Sequence, residues 1–169
     1  MTTLALDDPT APDVRRLLDE HLADMFAASP RDSVHALDHS ALSAPEITFL
    51  TARDGGTLLA CGALKELDPL HGEIKSMRTA RPARGRGIAA RLLGRIMDET
   101  RVRGYGRLYL ETGSDDFFAP ARRLYRRHGF TPCPPFGSYG ADPYSVFMGM
   151  VLAASPAFPF WPPGPGIGR

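Results

Sequence analysis

Gly85 and Gly87 interrupt an arginine-rich run, Arg81-Pro-Ala-Arg-Gly-Arg-Gly-Ile-Ala-Ala-Arg-Leu-Leu93. That pairing of residue types suits an anionic ligand. Glycine lacks a Cβ, so the backbone can turn tightly and let a ligand approach closely. Ile88, Leu92, Leu93 and Ile96 then recur at helical spacing, which predicts a helix with a buried face. The first N–H groups of such a helix, at the positive end of its dipole, suit a pyrophosphate. Arg84 and Arg86 add charge at its mouth. Arg84-x-x-Gly87-x-Ala89 also fits an arginine-rich turn before an ordinary helix, so its meaning depends on the residues C-terminal to it. The stretch lacks the P-loop signature. It matches the dinucleotide fingerprint as Gly85-x-Gly87-x-x-Ala90, with Glu111 as an acidic residue downstream, but no repeated βαβ units complete that fold.

The whole chain bounds the answer. Its 169 residues, 43% hydrophobic and 23% charged, predict one globular domain able to bury its own core. No apolar run approaches the ~20 residues of a membrane span. The N-terminus turns acidic at once and does not read as a signal peptide. A cytoplasmic location is expected. Cys61 and Cys133 alone make neither a metal motif nor a disulfide framework, and no metal is expected. Cys61, in Ala60-Cys-Gly-Ala63, reads as a small buried residue rather than a nucleophile.

A net charge of +1 conceals an asymmetry. Residues 1–77 carry six Lys/Arg against thirteen Asp/Glu, and residues 78–127 carry thirteen Arg against five Asp/Glu. The basic half holds the glycine loop, as an anionic ligand would want. The acidic half favours a cationic acceptor such as an amine. Nucleic-acid binding is disfavoured, because the arginines lie on helices without interleaved aromatics. With only two lysines and no Asn or Gln, part of the arginine excess is compositional.

The elements that must position this loop can be read from periodicity. A short strand at 4–6 and an amphipathic helix near 13–27 open the chain. Residues 28–45 read as loop with one helical turn. Strands at 46–53 and 57–67 flank the hairpin signal Asp54-Gly-Gly, and a third strand runs about 72–79. A helix over 87–103 ends near Gly104. A strand at 107–112 sends Leu108 and Leu110 opposite to Tyr109 and Glu111. A helix near 116–128 and a strand at 145–152 complete a domain over 1–152. The Pro/Gly-rich tail, 153–169, is expected to be loosely ordered.

In this order of elements the chain resembles the GNAT superfamily of acyl-CoA-dependent N-acetyltransferases, in the manner of small bacterial stand-alone members. Two motifs carry the resemblance: [Gln/Arg]-x-x-Gly-x-[Gly/Ala] at Arg84, Gly87 and Ala89, and Ala-x-x-Leu-Tyr-x-x-x-Gly-Phe at Ala121, Leu124, Tyr125, Gly129 and Phe130. The resemblance implies an α/β (α+β) single-domain fold. Its mixed, mostly antiparallel sheet of six to seven strands is splayed in the middle and flanked by about four helices. It also implies acetyl-CoA as cosubstrate. The cofactor arm would pair with Met77, Arg78 and Thr79, and its pyrophosphate would take the loop Arg84, Gly85, Arg86, Gly87, Ile88 and Ala89.

The same resemblance implies that Tyr125 protonates the departing thiolate, for which a neutral phenol is suited. Tyr125 shares a helix face with Phe117, Ala121 and Leu124, so a core aromatic is the competing reading. Glu73, eleven residues before Arg84, matches the strand glutamate that serves as base in histone-acetylating members. Glu111 on the neighbouring strand is the rival base, and His71 a third. Where many members carry an asparagine seven residues before the tyrosine, this chain has Phe118. The implied partner is a small-molecule or peptide amine, with a homodimer allowed and neither nucleic acid nor membrane expected. A non-catalytic CoA-binding module on the same scaffold is the alternative function.

Overall fold

The computed structural model describes residues 1–152; the expectation for the tail lies outside them. Seven strands form one sheet in the order β1-β2-β3-β4-β5-β7-β6. They are β1 (Thr2–Leu6), β2 (Ile47–Asp54), β3 (Thr57–Asp68), β4 (His71–Thr79), β5 (Arg107–Gly113), β6 (Thr131–Pro132) and β7 (Ser145–Val151). Only β4 and β5 run parallel. Their connection carries α2 (Ile88–Val102), as a parallel crossover requires. The hairpin after Asp54 turns at Gly55 and Gly56, with φ of +54° and +89°. Only glycine adopts such a pair of angles cheaply.

Helix α1 (Pro12–Ala28) starts with proline at N1 and Asp13 in its first turn, and buries Val14, Leu17 and Leu18. Those residues pack with Leu42, Phe49, Cys61 and Ala63 on one face of the sheet. Arg53 ties that face together, donating to Asp7 Oδ2 at 2.7 Å and to Asp13 Oδ2 at 2.6 Å. On the opposite face α2 buries Ile88, Leu92, Leu93, Ile96 and Met97. They share a core with Leu50, Leu64, Ile74, Leu108, Leu110 and Phe130. Helix α3 (Ala119–Arg127) joins this second core through Tyr125.

Among the described residues three α-helices flank the sheet. Between α1 and β2, where one helical turn was expected, two single 3-10 turns form, at Arg31–Ser33 and Ala41–Ser43. There Asp38 Oδ1 accepts from the Ser40 hydroxyl and the Ala41 N–H, both at 2.8 Å. Local side-chain bonds of this kind compete with a helical ladder. A 3-10 turn at Asp116–Phe118 likewise replaces the first turn of the helix expected near 116.

Candidate active site

The site begins with a defect in β4. Cys61 pairs with Arg78 and Ala63 with Lys75, so Ser76 and Met77 together oppose the single residue Gly62. Such a bulge bends its strand. Ser76 takes φ +55°, a left-handed angle that costs a non-glycine residue about 1–2 kcal/mol. Its carbonyl accepts from Cys61 Sγ at 3.5 Å. Met77 fills the space above Gly62, where a Cβ would stand 2.5 Å from the Met77 sulfur. Beyond the bulge, Arg78 Nη1 donates to Asp24 Oδ2 of α1 at 2.5 Å. Burial pushes the Cys61 thiol up to about 12, so it is not a nucleophile at neutral pH.

The bend opens the sheet. β4 pairs with β5 only over His71–Ile74 against Arg107–Leu110. Past that point β4 continues along β3 alone, and β5 along β7 alone. Glu111 is the first β5 residue beyond the last β4 pair. The Ala80 N–H bonds back to Leu59 on β3. By alternation, Arg78 also faces β3, while the N–H and C=O of Met77 and Thr79 face the opening. The Thr79 carbonyl there accepts from Arg84 Nε at 3.3 Å. Arg78 therefore stands apart from the expected cofactor set. Its backbone belongs to the β3 ladder and its buried side chain to α1.

A cavity of about 90 Å³ sits at the split. Ile74, Ala121 and Tyr125 line it from the α2–α3 face, and His21, His35, Glu73, Lys75 and Glu111 from the α1 face. The opening thus passes through the sheet. Tyr125 is buried and packs edge-on against Phe130 at 5.8 Å. Burial, with the Glu111 charge behind it, raises its phenol above the ordinary range. Burial also raises Glu111, with His35 and Lys75 opposing and Glu73 adding to the shift. Desolvation and the Arg78 cation push His21 down to about 4, so it is neutral at pH 7.

Glu73 reaches the same cavity but is occupied. It is 2% exposed, and its Oε1 accepts from Lys75 Nζ at 3.1 Å and from the Tyr139 hydroxyl at 2.6 Å. His71 is turned to Asp68, 2.7 Å away, outside the cavity lining.

The glycine loop borders the opening. Gly85 and Gly87 both take φ +73°, and beyond the adjoining residues no atom lies within 4 Å of where a Cβ would stand on either. Gly87 caps α2, and no side chain bonds the helix's first N–H groups. Those donors lack intrahelical partners. Ile88 sends its side chain into the core, leaving only its backbone for a ligand. Partial burial and the neighbouring Arg78 and Arg81 cations lower the Arg84 guanidinium below its usual range. The mouth is therefore electropositive, and loop and opening together fit a pyrophosphate on an extended arm.

The family model "Acetyltransferase (GNAT) family" matches residues 14–130. The chain belongs to the GNAT acetyltransferase family. It is an acyltransferase whose cosubstrate is acetyl-CoA. It is 52% identical to "Uncharacterized N-acetyltransferase YsnE" of Bacillus subtilis, covering 86% of this chain and 96% of that one. It is 43% identical to "IAA acetyltransferase" of Azospirillum brasilense, covering 86% and 95% respectively. The structure of a GNAT family acetyltransferase from Elizabethkingia anophelis with acetyl-CoA bound superposes with TM-score 0.62 at 16% identity, over 89% and 98% of the two chains.

Within this GNAT domain, sequence reasoning missed residues that line the cavity or bond to its lining. Tyr139 lies in the loop between β6 and β7, where prolines and glycines erase periodicity. It is held by His35 at 5.1 Å, Phe136 at 5.1 Å and Phe147 at 5.5 Å. Lys75 is buried rather than solvated. Phe118, at the position of the expected asparagine, packs over the end of β5, so closely that a Cβ on Gly113 would collide with its ring. The adjoining Gly113 and Asp115 carbonyls accept from Arg122 Nη1 at 2.6 and 2.9 Å. No group of metal-binding side chains occurs among the described residues.

Proposed function

We propose that this GNAT protein transfers the acetyl group of acetyl-CoA to an amine by direct attack in a ternary complex, with Glu111 as base and Tyr125 as acid. The observation that carries the reading is the cavity through the sheet. It brings a carboxylate from one face and a phenol from the other to the same opening. Acetyl-CoA supplies the thioester carbonyl.

Within that reading, the α2 N-terminus and the Arg84–Ala89 loop hold the pyrophosphate, and the backbone groups of Met77 and the Thr79 N–H hold the extended arm. Phe118 offers ring surface there in place of an amide. The amine arrives as ammonium from the α1 face, whose acidic character attracts it. Glu111 removes one proton and becomes a carboxylic acid, freeing the nitrogen lone pair. Burial of Glu111 favours that exchange, because a carboxylate with raised proton affinity is the better base. As nitrogen attacks, the Met77 N–H donates to the carbonyl oxygen. As the carbon–sulfur bond breaks, Tyr125 gives its proton to the thiolate and is restored by the second nitrogen proton. One proton leaves to solvent from Glu111 for each amide formed.

Glu73 is occupied where Glu111 is not: Lys75 and Tyr139 both donate to its Oε1. The acceptor class can be found with a panel: thiol release from acetyl-CoA with a polyamine, an amino acid, an aminoglycoside, a peptide N-terminus and a protein lysine. Turnover with at least one amine, with intersecting initial-velocity lines, is expected. Tight acetyl-CoA binding without turnover on any amine would point instead to a CoA-binding module.

A further inference from the structure

The ring formed by Glu73, Lys75 and Tyr139 supplies neither the base nor the acid of the transfer, yet its three side chains are hydrogen-bonded to one another around a buried carboxylate. Lys75 Nζ donates to Tyr139 Oη at 2.7 Å and to Glu73 Oε1 at 3.1 Å, and Tyr139 Oη donates to the same Glu73 oxygen at 2.6 Å. The Lys75 and Glu73 side chains are 8% and 3% exposed. Lys75 Nζ also lies 5.4 Å from the centre of the Tyr139 ring. The ring unites one anion, one cation and one phenol, and so is neutral as a whole.

Its neighbour is Glu111. His21 of α1 lines the same cavity, and groups from the other elements act on Glu111: His35 from the segment before β2, Glu73 and Lys75 from β4, Ser145 from β7, Tyr125 from α3, and Tyr139 from the β6–β7 loop. Two bare carboxylates in one buried cavity would share a proton, because like charges at close range resist joint ionisation. The acceptor's proton would then have two destinations. A lysine bonded to only one of them removes that ambiguity.

We propose that Lys75 and Tyr139 are positioning residues of the acetyl transfer, clamping Glu73 as a fixed anion so that Glu111 alone exchanges the acceptor's proton. This rests on the acetyl-transfer reading above. Held in that ring, Glu73 is closed to the acceptor's proton, and its charge raises the proton affinity of Glu111. Lys75 offsets part of that effect and so sets the pH at which Glu111 becomes competent. Tyr139 joins this setting to the aromatic loop that carries it.

The test pairs pH–rate profiles with carbon NMR titration of the glutamate carboxyls in the full chain, on Lys75→Met, Lys75→Arg and a Glu73→Gln/Lys75→Met double variant. Lys75→Met should move the Glu111 titration and the acidic limb of kcat/KM together toward higher pH. A lost neighbouring cation of this kind predicts at least a ~10-fold loss at pH 6 and less than ~3-fold at pH 9. Lys75→Arg should restore both. Removing one partner of a buried pair endangers folding, and the double variant avoids this by removing both charges. It should lose less than ~10-fold in kcat, against the ~10²–10⁴-fold expected for Glu111→Gln. A double variant as inactive as Glu111→Gln, or a Glu111 titration unmoved in Lys75→Met, would overturn the proposal. Acetyl-CoA binding by wild type without transfer to any amine would instead overturn the underlying reading.

Discussion

The glycine loop and the cavity at the split adjoin the same stretch of β4, yet they are made of different materials. The loop is a backbone device: two glycines at φ +73° and a helix start without a side-chain cap. The cavity is a side-chain device, assembled from α1, the segment before β2, β4, β5 and α3. A backbone device depends on conformation and tolerates changes of neighbouring side chains. A side-chain device depends on charge and on each partner in turn. Substitutions at the loop should therefore act on cofactor affinity, and substitutions in the cavity on turnover.

The largest effect is expected in the cavity. Glu111→Gln should lower kcat by ~10²–10⁴-fold while acetyl-CoA affinity, measured by calorimetry, stays within a few-fold of wild type. The same variant should be more stable at pH 8. Burial raises the Glu111 carboxyl in the folded state, so its contribution to stability is full below the unfolded value and is lost as pH rises through the folded one. A neutral glutamine does not suffer that loss. The melting advantage should therefore shrink as pH falls toward 4.

Tyr125→Phe should cost turnover at the low end of the same range, ~10²-fold, because solvent can in part replace the acid. The ring and its contact with Phe130 remain. Wild-type turnover would show that Tyr125 is a core aromatic alone. At the loop the effects are smaller and shift to binding. Gly87→Val should weaken acetyl-CoA affinity ~10-fold or more, because a β-branched residue is disfavoured at positive φ. Arg84→Ala should cost less, since Arg86 and the helix N–H groups remain. The opposite ranking in a titration would mean that charge, not backbone geometry, builds this end. Binding at the loop should also be felt by the fold as a whole. Acetyl-CoA at a hundredfold excess over its dissociation constant should stabilise the chain by about 2.7 kcal/mol, and an unchanged thermal melt would contradict its binding.

The two regions were also unequally legible in the sequence. The loop is contiguous, and glycines before a periodic apolar helix announce both turn and helix. The strand meander was readable for the same reason: Asp54-Gly-Gly, the alternation along β5 and the helix stop at Gly104 are local signals. Glu73 and Tyr125 are legible through motif spacing and Glu111 through its place on the neighbouring strand, and the structure brings all three to one cavity. Their unequal standing was not readable. It depends on Tyr139 and Lys75 meeting across the fold, 64 residues apart, and a loop of prolines and glycines gives no pattern from which to infer that contact. The bulge at Ser76 was hidden too, because a serine carries no mark of positive φ. Arg78, grouped with the cofactor-binding residues, turns its backbone to β3 and buries its side chain against Asp24.

The proposed chemistry stands or falls with the cavity through the sheet as a proton-transfer site and Glu111 as its base. The most direct measurement is the pH dependence of kcat/KM for wild type, Glu111→Gln and Glu73→Gln with one accepted amine. Wild type should show an acidic limb that survives in Glu73→Gln and flattens in Glu111→Gln. An acidic limb that survives in Glu111→Gln and flattens in Glu73→Gln would contradict this assignment.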